Sequence, residues 1–442
     1  MIDHVWYPFT QMQEFSNEGA PTIVRGEGCF LVDSEGRRYL DGISSLWCNV
    51  HGHRRREIDG AIVAQLGRVA HSTLLGLRSP PAVELARRLV ALAPAGLERV
   101  FYSDSGSTAV EIALKMAFQS WRNRGQAERQ TFVALGEAYH GDTIGSVSLG
   151  GIMLFHQVFE PLLFRVRRVP APHCRRCPLA LRPSSCELEC AGLLARALAE
   201  EATAAVVIEP MVQGAAGMIV HPKGYLRKVR EACDRSGALL ICDEVATGFG
   251  RTGRMFACEH EGVRPDLMAV AKGLTGGYLP LAATLATEEV FSAFLGEHAA
   301  GRHFFHGHTY TGNALACAAA LASLDIFADE RVLETLPTKI GRLSAGLERL
   351  EGHPHVLEVR RCGLMVGIEL AADPGRGEPF DARLRMGHRV ILRARAHGVI
   401  LRPLGDVVVL MPPLAITEDQ IDTLVEVTAR SIDEATADAC CS

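Results

Sequence analysis

The sequence predicts an α/β protein: a mostly parallel sheet covered by helices on both faces, followed by a smaller α+β unit. Three observations predict it. Short, continuously apolar runs (QTFVAL, AAVVIEP, ALLICDE, DLMAVAK) recur between residues 75 and 330, as expected of strands buried on both faces. Amphipathic helical stretches separate them, among them PAVELARRLVALAP, STAVEIALKMAFQSWRNRG and KGYLRKVREACDRSG, which is the βα alternation of a parallel sheet. After residue 330 this alternation stops.

The elements follow in order. The first sixty residues read as a small lid, with GEGCFLVDSEGRRYLDG forming two short strands around the turn Asp33–Gly36. RVFYSDSG is a strand running into a turn, and the long helix from Ser107 comes next. Past residue 330 a helix (LETLPTKIGRLSAGLERLE) leads to strands at VLEVRRCG and LMVGIELA. A further helix (RMGHRVILRARAHG), the pair VILRPLG/DVVVLMPP and a last helix from Thr417 complete the chain. The division expected is a lid segment over 1–60, a large domain over 61–330 and a small domain over 331–442. The Cys440-Cys441 tail reads as a frayed end.

Composition narrows the function. At 442 residues the chain is too long for one simple core. Its formal charge of −5 and scattered arginines give no stripe for nucleic acid. No apolar segment is expected to span a membrane. Thirteen cysteines without an export signal point to reduced thiols and a cytoplasmic protein.

Five sites carry chemistry. Lys272 stands where the buried run LMAVA gives way to a glycine-bearing loop. A charged amine is costly there, so the neutral form that condenses with an aldehyde is favoured; a lysine snorkelling to the surface is the plainer alternative. Asp243 ends another buried strand, ahead of a loop with three glycines. It could hold a pyridine nitrogen protonated, or cap a helix, or pair with Arg251. Gly106, Ser107 and Thr108 open a long helix whose amide hydrogens suit a phosphate, although Ser107 would also serve as an ordinary N-cap. Tyr139, before a Gly-Asp turn, could stack on a ring or simply fill the core. His308 and Thr309 precede another helix start and again suit phosphate. Together these supply a phosphate cradle, a pyridine partner, a stacking aromatic and a Schiff-base lysine.

With these residues in place, and with the run D-E-V-A-T-G-F-G-R-T-G followed by Lys272 at 29 positions after Asp243, the chain resembles the class III, fold-type I pyridoxal-phosphate aminotransferases over nearly its whole length. The resemblance implies pyridoxal 5'-phosphate as cofactor. It implies that Gly106 and Ser107 bind the phosphate, Tyr139 covers the ring, Asp243 faces the ring nitrogen, and Lys272 is both Schiff base and proton shuttle. It further implies a homodimer with the active site at the interface, where Gly307 lines the substrate pocket and His308 and Thr309 reach the partner subunit's phosphate. Arg402 would grip a substrate carboxylate by a two-pronged hydrogen bond. The segments WYPFTQM, SSLWCNVHGH, HGHTYTGN and LRPLGDVVVLMPP are similar to the branch that converts 8-amino-7-oxononanoate to 7,8-diaminononanoate in biotin biosynthesis. Phe9 and Leu46-Trp47 stand where many members carry a tyrosine and a Trp-Trp pair that contact substrate. The donor is therefore open between S-adenosylmethionine and lysine, with Phe9 and Trp47 as the substrate-contacting residues. Alternatives are another class III enzyme acting on an ω-amino acid, an aminomutase, and a cofactor-binding regulator, for whose DNA-binding module there is no room before the lid.

No catalytic metal is expected. The segment HCRRCPLALRPSSCELEC nevertheless spaces Cys174, Cys177, Cys186 and Cys190 as C-x2-C-x8-C-x3-C. That spacing suits a small zinc or iron–sulfur site, or a loop held by ordinary packing.

Overall fold

The computed structural model describes residues 4–440. Its central sheet has seven strands: β1 (Leu97–Ser103), β2 (Thr131–Leu135), β3 (Val166–Val169), β4 (Thr203–Ile208), β5 (Leu239–Asp243), β6 (Leu267–Val270) and β7 (Ala282–Thr287). Their spatial order is β1-β7-β6-β5-β4-β2-β3. Neighbours from β6 to β3 pair in parallel, and β7 alone runs the other way, antiparallel to both β6 and β1. The carboxyl ends of six strands therefore share one edge of the sheet.

The apolar runs lie where both faces are covered. Every residue of β4, β5 and β6 is buried. One face is covered by the Gly106–Asn123 helix, which packs on β6 and β7 through Ala109, Ala113, Ala117 and their neighbours. The Tyr225–Ser236 helix buries Leu226, Val229 and Cys233 and packs on β4 and β5. Two strands lie beyond those expected. β3 is an edge strand reading VRRV, and charge on an edge discourages further strand pairing. β7 reads AATLAT, too weak in β-branched apolar content to stand out.

The N-terminal part forms three strands instead of two: Ile23–Glu27, Phe30–Asp33 and Arg38–Asp41. Val399–Ile400 joins them in parallel beside Arg38–Asp41. Near the C-terminus, Val356–Cys362, Met365–Leu370, Val407–Leu410 and Arg402–Leu404 make an antiparallel sheet. Helices Val332–Leu347 and Met386–Ala396 accompany it, with a last helix over Glu418–Cys440. That helix continues as far as Cys440, and Cys441 of the terminal pair lies outside the described residues. No helix of the described residues is long and apolar enough to cross a membrane.

Candidate active site

A cavity of about 860 Å3 opens at the carboxyl edge of the central sheet, where ligands of open α/β sheets are bound. Lys272, Asp243, Tyr139, Gly106, Ser107 and Trp47 all line it.

Lys272 directly follows β6 and Ala271, with φ at +46°. Burial lowers the pKa of its amine, and the carboxylates of Asp243 and Glu209 recover only part of the loss. The ammonium form is thus disfavoured where a nucleophilic amine is wanted. Its Nζ lies 5.0 Å from the centre of the Trp47 ring.

Asp243 is the last residue of β5 and is 5% exposed. One carboxylate oxygen accepts the Val245 amide at 3.1 Å, and the other is 2.7 Å from Nδ1 of His140. Burial alone would discharge this imidazole, but the hydrogen bond and charge of Asp243 outweigh it and raise its pKa. The pairing with Arg251 considered from the sequence does not occur. Arg251 is buried elsewhere and donates to the carbonyls of Pro412 at 2.6 Å and Asn49 at 3.1 Å.

Glu209 is a further acid in the cavity, one residue beyond β4. Its two oxygens accept the amides of Tyr139 at 3.1 Å and Gly214 at 2.8 Å. Burial pushes its carboxyl up to about 7, against the lowering effect of His140. Sequence reasoning missed both His140 and Glu209. The available signals were a histidine adjacent to Tyr139 and an acid terminating an apolar strand, the same mark that singled out Asp243.

The Gly106–Asn123 helix starts at the cavity. Its N-cap is Ser105, not Ser107: the Ser105 hydroxyl accepts the Thr108 amide at 3.2 Å and Thr108 reciprocates in a capping box. Ser107 is left to face Thr143, its Oγ accepting the Thr143 amide at 3.0 Å. No acidic residue occupies the first turn, so the helix N-terminus suits a dianion. A Cβ at Gly106 would lie 2.5 Å from the Val245 side chain, so the backbone here passes too close for any side chain.

Trp47 is presented by a strained turn. Ser44, Ser45, Leu46 and Trp47 have φ of 50°, 53°, 95° and 67°, a left-handed run that non-glycine residues adopt only when held. The hold is visible. Ser44 Oγ donates to the Met411 carbonyl at 2.6 Å, and Ser45 donates to Asp41 through its amide at 2.9 Å and its hydroxyl at 2.7 Å. The indole Nε1 of Trp47 is buried without a hydrogen-bond partner.

Tyr139 donates from its hydroxyl to Asp142 at 2.8 Å. Its ring meets Phe155 edge-on at 6.1 Å, and Phe155 meets Phe9 at 5.5 Å. Phe9 thus reaches the site through Phe155 and does not line the cavity itself. Arg402 is half-buried, which lowers its pKa, and Tyr139 is the ionisable group that acts on it among the described residues. It does not line the cavity, and it has no carboxylate partner among the described residues. Gly307, His308 and Thr309 lie outside the cavity. Gly307 and Thr309 are exposed, and Nε2 of His308 is buried without a partner.

Known proteins share this arrangement of chain. The class-III aminotransferase family profile matches residues 15–432. An adenosylmethionine-8-amino-7-oxononanoate aminotransferase of Nitratidesulfovibrio vulgaris is 59% identical, covering 97% of this chain and 80% of its own. The crystal structure of the Methanocaldococcus jannaschii protein of that name superposes with a TM-score of 0.93 at 44% identity, over 98% of this chain and 97% of its own. An amine transaminase from an uncultivated Pseudomonas species, solved in its PLP-bound form, has a TM-score of 0.93 at 36% identity, over 98% and 99% of the two chains.

Proposed function

The chain belongs to the class-III aminotransferases, and we propose that it aminates 8-amino-7-oxononanoate to 7,8-diaminononanoate, a step of biotin synthesis. Pyridoxal 5'-phosphate, the cofactor of this class, supplies when bound an aldehyde that takes up an amino group and a protonated ring that draws electrons from the reacting carbon. The single observation that carries the reading is that Lys272 and Asp243 line one cavity.

Each residue then has a task. Lys272, whose amine burial biases towards the neutral form, would hold the cofactor's aldehyde and, when free, would move the proton at the donor carbon. Asp243 would hold the ring nitrogen, and His140 fixes that carboxylate in place at 2.7 Å. Gly106 and Ser107 offer backbone amides and a hydroxyl to the phosphate. Tyr139 covers one side of the ring and Trp47 bounds the substrate space, with Phe9 at its outer end. Arg402 takes the substrate carboxylate, its charge unspent on any carboxylate of the described chain.

The site is completed, in this proposal, by a second copy of the chain. Gly307 would line the partner's substrate pocket, and His308 and Thr309 would reach the partner's phosphate. Their position outside their own cavity and the unpartnered His308 nitrogen support that role. In the proposed division into a lid over 1–60, a large domain over 61–330 and a small domain over 331–442, the cavity is lined by residues of the first two. A cytoplasmic location suits a reduced cysteine set and a small-molecule substrate.

Two assays test the reaction. Expression in a biotin auxotroph lacking this step should restore growth, and the Lys272→Ala variant should not. Failure of the wild-type chain to restore growth, with activity on an ω-amino acid such as 4-aminobutyrate instead, would favour the other class III reading. The donor, S-adenosylmethionine or lysine, is identified by which of the two discharges the cofactor's aldehyde absorbance.

A further inference from the structure

The four cysteines of the 171–190 segment take no part in this chemistry. Between Val169 and Glu189 the one piece of regular structure is a 3-10 turn at Pro183–Ser185. A connection of that length without its own helix or strand is uncommon in a compact protein and calls for something that holds it.

Its cysteines are not scattered along it. Cys174, Cys177, Cys186 and Cys190 border one small cavity, closed on its remaining sides by His173 and Pro222 among others. All four are free thiols. Cys190 lies within electrostatic reach of the other three. The segment is clamped at both ends. Arg176 is ion-paired to Glu369, and His173 Nε2 stands 3.6 Å from Glu358, both on the antiparallel C-terminal sheet. Cys190 sits in the first turn of the Glu189–Glu200 helix. The thiols thus meet where the loop joins two separate parts of the fold.

We propose that Cys174, Cys177, Cys186 and Cys190 bind one zinc ion as a tetrahedral set of four thiolates, stapling this loop. Four sulfur ligands select zinc or an iron–sulfur cluster over hard cations such as magnesium. Size decides between the two. The cavity is small, about 20 Å3, on the order of one water-sized body at ~15 Å3, which favours a single ion over a multi-atom cluster. As they stand, no three metal-ligating side chains among the described residues are close enough to hold an ion. Binding therefore draws the sulfurs inward to ~2.3 Å from the metal. Each thiol gives its proton to solvent, and Cys186 releases the Glu189 carboxylate to which it donates at 3.1 Å. A loop with few backbone hydrogen bonds can make that movement at little cost. The ion's role is structural, since the cavity is separate from the one that holds Lys272.

The test is metal analysis of the untagged full chain, purified under reducing conditions from zinc-supplemented cells. About one zinc per chain is expected. The double variant Cys177→Ser/Cys186→Ser should hold less than about 0.1 equivalent, keep its cofactor absorbance, and be cut by trypsin at Arg175 or Arg176 about tenfold faster. If that variant does not fold, cobalt reconstitution of the wild-type chain decides, because four thiolates give intense sulfur-to-metal charge-transfer absorption. Wild-type protein that takes up neither zinc nor cobalt would overturn the proposal. So would iron with acid-labile sulfide, or full zinc retention in the folded double variant.

Discussion

A lysine amine enclosed at the end of β6 has lost the water that would stabilise its charge, and two nearby carboxylates return only part of it. That balance makes Lys272 a nucleophile. Asp243 is held in a buried place by the Val245 amide, which its carboxylate accepts, and by His140. Replacing Asp243 by Asn keeps the shape and removes the charge. Turnover should fall about 10²–10³-fold with unchanged circular dichroism, measured as kcat on the donor half-reaction. His140 adds a pH dependence. Its pKa is raised in the fold above the ordinary 6.5, so folding takes up a proton. The stabilisation is complete below 6.5 and is lost as pH rises through the raised value. The gap in thermal midpoint between wild type and His140→Asn should therefore narrow as pH rises above the ordinary 6.5. A gap that widens instead would contradict the His140–Asp243 assignment. At this scale the sequence was legible for Lys272 and Asp243, whose charge is costly at the end of an apolar run, although the same mark at Glu209 went unread. It was silent on His140, because the value of a histidine here depends on a strand 103 positions away.

Strand ends and helix starts do the positioning. β2, β4, β5 and β6 all finish at the same edge, and residues at or shortly beyond their ends (Tyr139, Glu209, Asp243 and Lys272) meet there although they are remote in sequence. The apolar runs that predict these strands also predict the meeting place, which is why the site could be assembled before the fold. β3 and β7 were not legible: two arginines hide the edge strand, and alanine and threonine disguise the reversed one. Nor could periodicity tell which serine caps the long helix, since Ser105 and Ser107 both precede its apolar face. The capping box settles it, and Ser105→Ala should cost about 1 kcal/mol of stability, read as a lower denaturant midpoint. Ser107→Ala should chiefly weaken cofactor retention on dialysis. The reverse pattern would mean that the two serines have exchanged roles.

Taken whole, the chain presents a cavity whose proposed walls are incomplete without a second subunit. Phe305, Gly307 and Thr309 are exposed and do not line the cavity of their own chain. If that segment closes the partner's site, Lys272→Ala and Thr309→Glu should each be nearly inactive alone. Refolded together in equal amounts, they should recover about a quarter of wild-type activity, since half the dimers then hold one intact site. No recovery in verified mixed dimers would show that each chain builds its site alone. The four-stranded N-terminal sheet belongs to the same scale, because Val399–Ile400 closes it from the far end of the chain. No local pattern announces a strand pairing of that separation.

The most direct measurement is borohydride reduction of the cofactor-loaded protein followed by peptide mass mapping. A cofactor bound through an imine becomes fixed to the lysine that holds it. The label is expected on the peptide containing Lys272 and nowhere else. Label on Lys115 or Lys339, or a colourless protein that takes up none, would contradict the account at its centre.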